Sequence, residues 1–351
     1  MLSKKIFYLM MKFYRHISKF FFSIINKKLI INKSEKKYFL SSNITFGKKK
    51  YKIFTLDKGK IYADTSEGKY FYIFKNIILK KLSIDIGDLS RVSNIIKYGT
   101  TKFCKRLNYK VISIVSGRDA KENYYHWLID VLPRLIILQK EIKKKKSLNL
   151  LVPNYSKNYQ KESLDCLIKY KKTNFINFNK YKFMQFEQII LSSNNEKFEY
   201  FNFSLLSILK NKILVEAKKK FRKSQYEYTK IFISRSDANL KYKRNLINDV
   251  EIENYLIKKG FKKLVLSNYS FLEQALIFNN TKLIIGLHGA GLANILFCKK
   301  NTKVIEISLN KWPNMYKKLS SCLKLSYKKI LAKEYSNDQV TLSISKMKNL
   351  L

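Results

Sequence analysis

Only three histidines occur in this chain of 351 residues, and two of them stand in its densest motifs. His126 lies in Asn123-Tyr124-Tyr125-His126-Trp127-Leu128-Ile129-Asp130, and His288 in Gly286-Leu287-His288-Gly289-Ala290-Gly291-Leu292-Ala293-Asn294; the third is His16. The second motif also draws three of the ten glycines into six positions. Residues this scarce, placed this way, point to chemistry rather than to filling a fold.

Residues 286–291 follow an apolar stretch that reads as a strand and open one that reads as a helix. Backbone amides and the helix dipole at such a junction favour a phosphate, and glycine lets a ligand approach the backbone closely. His288 could bond an oxygen of the same pyrophosphate, with Asn294 one turn further on. Tight packing of helix on sheet is the competing explanation. The dinucleotide fingerprint is excluded, because the glycines do not follow GxGxxG. Ser234-Arg235-Ser236 ends another strand, and Arg244, Asn248 and Asp249 follow in the next loop. Arginine is scarce here, so two guanidiniums beside the predicted phosphate suggest neutralisation of a leaving diphosphate, against the alternative of ordinary surface arginines. Glu306, at the end of the following strand, is placed either to accept from ribose hydroxyls or to cap a neighbouring loop.

In the N-terminal half, Glu122, His126 and Asp130 recur every four residues, so one helical face would carry all three. His126 or Asp130 is then the candidate general base, with Asp130 orienting the imidazole and Arg134 extending the row. A histidine packed between Tyr125 and Trp127 is the other reading. No HExxH, histidine cluster or DxD occurs, so no metal is expected.

These residues need elements to position them. Residues 51–56, 60–63 and 69–74 read as short strands of a meander, rich in aromatic and β-branched side chains. From residue 111 strands alternate with helices: strand 111–115, helix 124–146, strand 149–152. A basic helix over 201–223 follows. The C-terminal half repeats the alternation with strands at 230–234, 261–266, 282–286, 303–308 and 327–331 and helices at 250–259, 271–278, 290–297 and 313–323. Such alternation predicts an α/β fold with parallel, doubly wound, Rossmann-like sheets, in which ligands bind beyond the carboxyl ends of the strands. The expected division is a basic N-terminal segment (1–50), an acceptor-side domain (51–200), a bridging helix (201–225), a nucleotide-sugar domain (226–335) and a tail (336–351).

Length and a hydrophobic share of 46% allow two cores. The net charge of +46 invites a nucleic-acid reading, yet eight of the 71 basic residues are Arg and 71 − 8 = 63 are Lys. Readers of bases favour Arg for its bidentate fork. Lysine travelling with Asn, Ile, Tyr and Phe fits an AT-rich genome instead, so no nucleic-acid partner is expected. The four cysteines form no CxxC, which suits a reducing compartment. Near the N-terminus, apolar runs at 6–11 and 20–25 alternate with basic residues, and neither approaches the ~20 apolar residues of a membrane span. No small-residue cleavage site follows. The segment is either a basic helix lying on a membrane surface or a surface helix packed on its own domain.

Taken together the blocks resemble glycosyltransferase family 61, whose members include bacterial capsule and lipopolysaccharide enzymes and eukaryotic O-GlcNAc and xylosyl transferases. Residues 123–127 with Asp130, Pro133 and Arg134 resemble its NYYHWLxDxLPR block. Ser234-Arg235 with Arg244, Asn248 and Asp249 resembles SR…RxxxNE, with Asp249 where the family commonly has Glu. Glu273-Gln274 and residues 286–294 resemble the EQ and GxHGAGLxN blocks, and Glu306 falls in the next VIE segment. The likeness runs from about residue 61 to 307. It implies a GT-B-like architecture of two Rossmann-like domains facing a cleft, with an N-terminal β-rich segment, and an inverting, metal-independent transfer that needs no cofactor. The donor would be a nucleotide sugar, UDP-linked by expectation, held by Arg235, Arg244, Asn248, Asp249, His288, Gly289, Ala290, Gly291, Asn294 and Glu306. The acceptor, a glycan or lipid-linked oligosaccharide, would meet Asn123, Tyr125, Trp127 and Arg134. Bacterial surface-polysaccharide synthesis in the cytoplasm, at the inner face of its membrane, is the expected setting. A hydrolase reading of the HGAG turn lacks a GxSxG nucleophile; a catalytically silent glycan-binding relative is the remaining rival.

Overall fold

Two sheets carry the fold, and the strands of each follow from runs of β-branched and aromatic residues. The computed structural model describes residues 2–25, 29–31, 35–64, 69–83, 95, 99–100, 102–117, 122–153, 155–168, 172–193, 201–222, 226–237, 244–336 and 338–348. The first sheet contains β1 (Ile30–Ile31), β2 (Leu40–Phe46), β3 (Lys49–Asp57), β4 (Lys60–Asp64), β5 (Lys69–Phe74), β6 (Ile77–Ile78), β7 (Lys105–Ser113), β8 (Leu148–Leu151), β9 (Thr173–Ile176) and β10 (Phe183–Ser192). Its order is β1-β6-β5-β4-β10-β7-β8-β9, with β3 pairing both β10 and β2. β10 is the joint. One edge runs parallel to β7, while the other takes β4 and then β3 antiparallel. The meander is therefore continuous with the parallel strands, not a segment apart from them.

The second sheet is wholly parallel: β11 (Lys230–Ser234), β12 (Lys262–Val265), β13 (Leu283–Leu287), β14 (Lys303–Ser308) and β15 (Ser326–Leu331), in the order β12-β11-β13-β14-β15. Ile231, Ile284, Ile285, Val304, Ile305 and Ile307 are fully buried, the continuous apolar pattern of strands covered on both faces. Within this sheet the order is second, first, third, fourth, fifth. The winding reverses between β11 and β13, and that is where doubly wound sheets open their ligand crevice.

The helix Phe203–Lys220 buries Leu205, Leu206, Leu209, Ile213, Leu214 and Ala217, a three-to-four-residue spacing that gives it one apolar face. It packs against both Leu132–Ile137 and Phe271–Asn280. One apolar cluster accordingly runs through both halves, from Ile112 and Trp127 to Ile284 and Leu319.

Several expectations are corrected. The helix beginning at Tyr124 is not uniform: Tyr124–His126 is α-helical, Trp127–Val131 is a π-turn, and Leu132–Ile137 and Gln139–Lys143 are α-helical again. Asn123 caps it by accepting from the Tyr125 amide, so Glu122 precedes the helix and is not part of its face. The segment Ala290–Phe297 is 3-10, not α. The expected tail is packed: β16 (Lys333–Ser336) pairs with β17 (Gln339–Thr341), and Val340, Leu342 and Met347 are buried in a cluster with Ile305 and Trp312. Strands β2, β9 and β10 escape the sequence pattern. Among the described residues no helix is long and apolar enough to cross a membrane.

Candidate functional site

At the carboxyl end of β13 the chain turns through His288. Its amide donates to the Ile307 carbonyl at 2.9 Å, and its Nδ1 lies 2.5 Å from Glu306 Oε1. Parallel pairing of β13 with β14 sets this contact, because Gly286 stands opposite Glu306. The second oxygen of Glu306 accepts from the Tyr327 hydroxyl, on β15, at 2.5 Å. Burial, reinforced by that bond, pushes the Tyr327 phenol up and keeps it a donor. His288 is 2% exposed and Glu306 0%. With Nδ1 on the carboxylate, Nε2 is the atom His288 can offer a ligand, as an acceptor when neutral and a donor when charged. The ring is flanked by Trp312, at 5.5 Å between centroids, and Tyr316, at 5.2 Å.

Arg235 follows β11 across the switch point. Its Nη1 donates to the His288 carbonyl at 3.0 Å, while its buried Nε has no partner among the described residues. Arg244 lies over Trp312, 5.1 Å from the ring centroid. Burial, then the like charge of Arg244, lower the Arg235 pKa. Among the described residues neither guanidinium is paired with a carboxylate. Asp237 and Asp338 act on Arg235 and Arg244 only at longer range, so two adjacent cations with no carboxylate in contact make a site for an anion.

The glycines contribute differently from the sequence reading. A Cβ on Gly289 would stand 2.2 Å from Arg235 Nη1, and one on Gly291 would stand 2.7 Å from Leu266 Cδ1. Arg235 and Leu266 already fill those approaches. The turn 289–291 is nonetheless partly exposed, and the Tyr316 hydroxyl donates to the Gly289 carbonyl at 2.5 Å.

On the other half, His126 Nδ1 and Asp130 Oδ2 are 2.7 Å apart, both side chains partly exposed at 14% and 20%. The carboxylate fixes the tautomer with the proton on Nδ1, leaving the lone pair on Nε2. Arg134 does not extend this pair outward: it is buried, and its Nε donates to the Asp130 carbonyl at 3.1 Å. π-turns recur at functional sites because the extra residue re-aims a side chain, and Asp130 sits in one.

The two motifs touch. The Tyr124 hydroxyl donates to Asn294 Oδ1 at 2.5 Å. Tyr125 meets Tyr316 edge-on at 5.9 Å and lies against His126 at 5.3 Å. His126, Tyr125, Tyr316 and His288 thus form one aromatic row from the first half to the second.

Other expected site residues serve the framework. Asn294 is 0% exposed and spends its amide on Gln274 Oε1 and the Gly291 carbonyl. Trp127 is equally buried, its indole N–H donated to Ser163 at 2.9 Å. Asn248 ties down Leu342 through both its carboxamide atoms, and exposed Asp249 caps Val250. Ala290 stands partly exposed in the turn. Trp312, Tyr316 and Tyr327 were not anticipated; with two tryptophans in the chain, the scarcity that singled out His288 also marked Trp312. Among the described residues no three His, Cys, Asp or Glu side chains gather as metal ligands.

A sequence profile of the family described as Glycosyltransferase 61 matches residues 124–305, more than half of the chain. No curated protein matches it.

Proposed function

The chain belongs to glycosyltransferase family 61, and from that premise we propose that it moves a sugar, with inversion and without a metal, from a nucleotide sugar held at the β11–β13 crevice to a glycan or lipid-linked acceptor. The observation that carries this reading is the pair Arg235 and Arg244 beside His288, cations with no carboxylate in ion-pair contact among the described residues, at the switch point of a doubly wound sheet. They would neutralise the departing diphosphate, the charge that develops as the glycosidic bond breaks. His288, backed by Glu306, would donate from Nε2 to a phosphate oxygen. Trp312 and Tyr316 would wall that pocket.

His126 would take the proton of the attacking acceptor hydroxyl through Nε2, with Asp130 stabilising the imidazolium. Attack from the side opposite the diphosphate inverts the anomeric carbon. A GT-B-like arrangement, with one sheet on each side of the reaction, is consistent with the two motifs meeting along the Tyr125–Tyr316 contact. UDP is the proposed nucleotide and bacterial surface polysaccharide the proposed setting.

The test is thermal denaturation with UDP, GDP, CMP and UDP-sugars, with and without EDTA, in the parent and in Arg235→Ala. Ligands that bind the folded state raise its melting point. A shift with one nucleotide, indifferent to EDTA and lost in the variant, supports the donor site. Absence of any shift in folded protein would leave a silent glycan-binding relative as the better reading.

A further inference from the structure

The helix Leu2–Ile25 turns large apolar side chains to solvent. Ile6, Met10, Phe13, Ile17, Phe20 and Ile24 recur at alternating spacings of four and three, so they line one stripe, and they are 52%, 65%, 70%, 53%, 69% and 69% exposed. Leu9 and Phe21, also exposed, widen the stripe on its two sides. The segment carries Lys4, Lys5, Lys12, Arg15 and Lys19, and the first acidic residue of the chain is Glu35. Lys12 is exposed, and its place in the helical period puts it off the stripe.

A broad apolar face with cations and no acid fits one occupant. A second copy of the helix could match the apolar stripe, but it would bring five more cations and no carboxylate to pair with them, which opposes a coiled coil. An anionic bilayer supplies both complements: acyl chains for the apolar stripe and phosphates for the cations. The helix is not apolar enough to cross such a bilayer. We infer that the helix Leu2–Ile25 lies in the surface of an anionic membrane, its Phe13 and Phe20 face inserted among the lipid chains. This inference stands apart from the sugar-transfer reading.

The test is flotation of the full chain with vesicles of phosphatidylcholine alone or mixed with phosphatidylglycerol, at low and near-physiological salt. The parent is expected to float with the mixed vesicles. The double variant Phe13→Glu, Phe20→Glu changes the net charge only from +46 to 46 − 2 = +44, yet it should lower the bound fraction at least about tenfold, because it removes the two rings from the lipid. Both positions lie outside the packed core, so the variant should keep the parent's melting transition. A second measurement needs no loss of binding: in Phe13→Trp the added indole should shift to the blue on mixed vesicles, while Trp127 and Trp312 are already buried. Equal flotation of the double variant would overturn the inference in favour of diffuse attraction to the basic body. So would an unshifted indole, or a lipid-free dimer that the double variant dissolves.

Discussion

A glycine and an arginine at the crevice give separable predictions, because a Cβ added at Gly289 would crowd the far end of the Arg235 side chain and meet backbone, the Leu287 carbonyl, only at an ordinary 3.6 Å. Gly289→Ala should leave the melting point within a few degrees of the parent while weakening nucleotide binding, since a flexible guanidinium moves away more cheaply than backbone. Arg235→Ala should raise the KM for the nucleotide sugar by roughly tenfold to a hundredfold, the usual worth of a hydrogen bond to a charged group; titration calorimetry with the nucleotide checks both. His126→Ala should lower kcat by on the order of a hundredfold or more and leave the donor Kd nearly unchanged. Near-normal turnover of folded protein would remove His126 from the chemistry. At this scale the sequence made neighbours of residues that the fold also joins: His126 stands beside Asp130 and Arg235 beside the His288 turn. What the letters did not disclose is that Asn294, Trp127 and Asn248 already bond to neighbouring side chains and backbone, because a satisfied amide or indole reads the same as an open one.

The helix that carries His126 shows why elements were less legible than residues. Its apolar period continues smoothly through the π-turn at Trp127–Val131, so nothing in the spacing announces the extra residue. Pro133 lies near the start of the following α-turn, where its missing N–H costs little. The second sheet was readable almost strand for strand because each strand is a short apolar run followed by a helix. β10 was not: Gln185, Glu187 and Gln188 interrupt FMQFEQIILS, no glycine or proline bounds it, and its partners are far away in the sequence. The bridge between the motifs offers a test at this scale. Tyr124→Phe removes the donor to Asn294 and leaves a buried carboxamide oxygen without it, at a cost of about 1–3 kcal/mol. Denaturant unfolding measures that loss. Gly291→Ala presses on Leu266 within the core and should cost a similar amount.

Over the whole molecule the buried tyrosines set an alkaline limit. Burial, opposed by the hydrogen bond to Ser113, raises the Tyr72 pKa to about 12, and burial lifts Tyr124 and Tyr316 well above the ordinary value. A folded-state pKa above the unfolded one means that this stability is intact below pH ~10 and drains as the pH rises toward about 12. Tyr72 alone accounts for roughly 2–3 kcal/mol of that loss. Melting points taken from pH 9 upward should fall steeply above pH ~10, and Tyr72→Phe should flatten the decline. The apolar cluster that crosses both halves predicts a single transition in those melts. The position of β10 in its sheet bears on how the protein is made. Until residues 183–192 leave the ribosome, the strands before Ile78 and the strands from Lys105 to Ile176 have no partner between them, so each group keeps a bare edge. At bacterial or eukaryotic elongation rates the wait lasts on the order of ten seconds. Ribosome-bound chains stopped short of residue 192 should therefore recruit chaperones more strongly than chains stopped well beyond it.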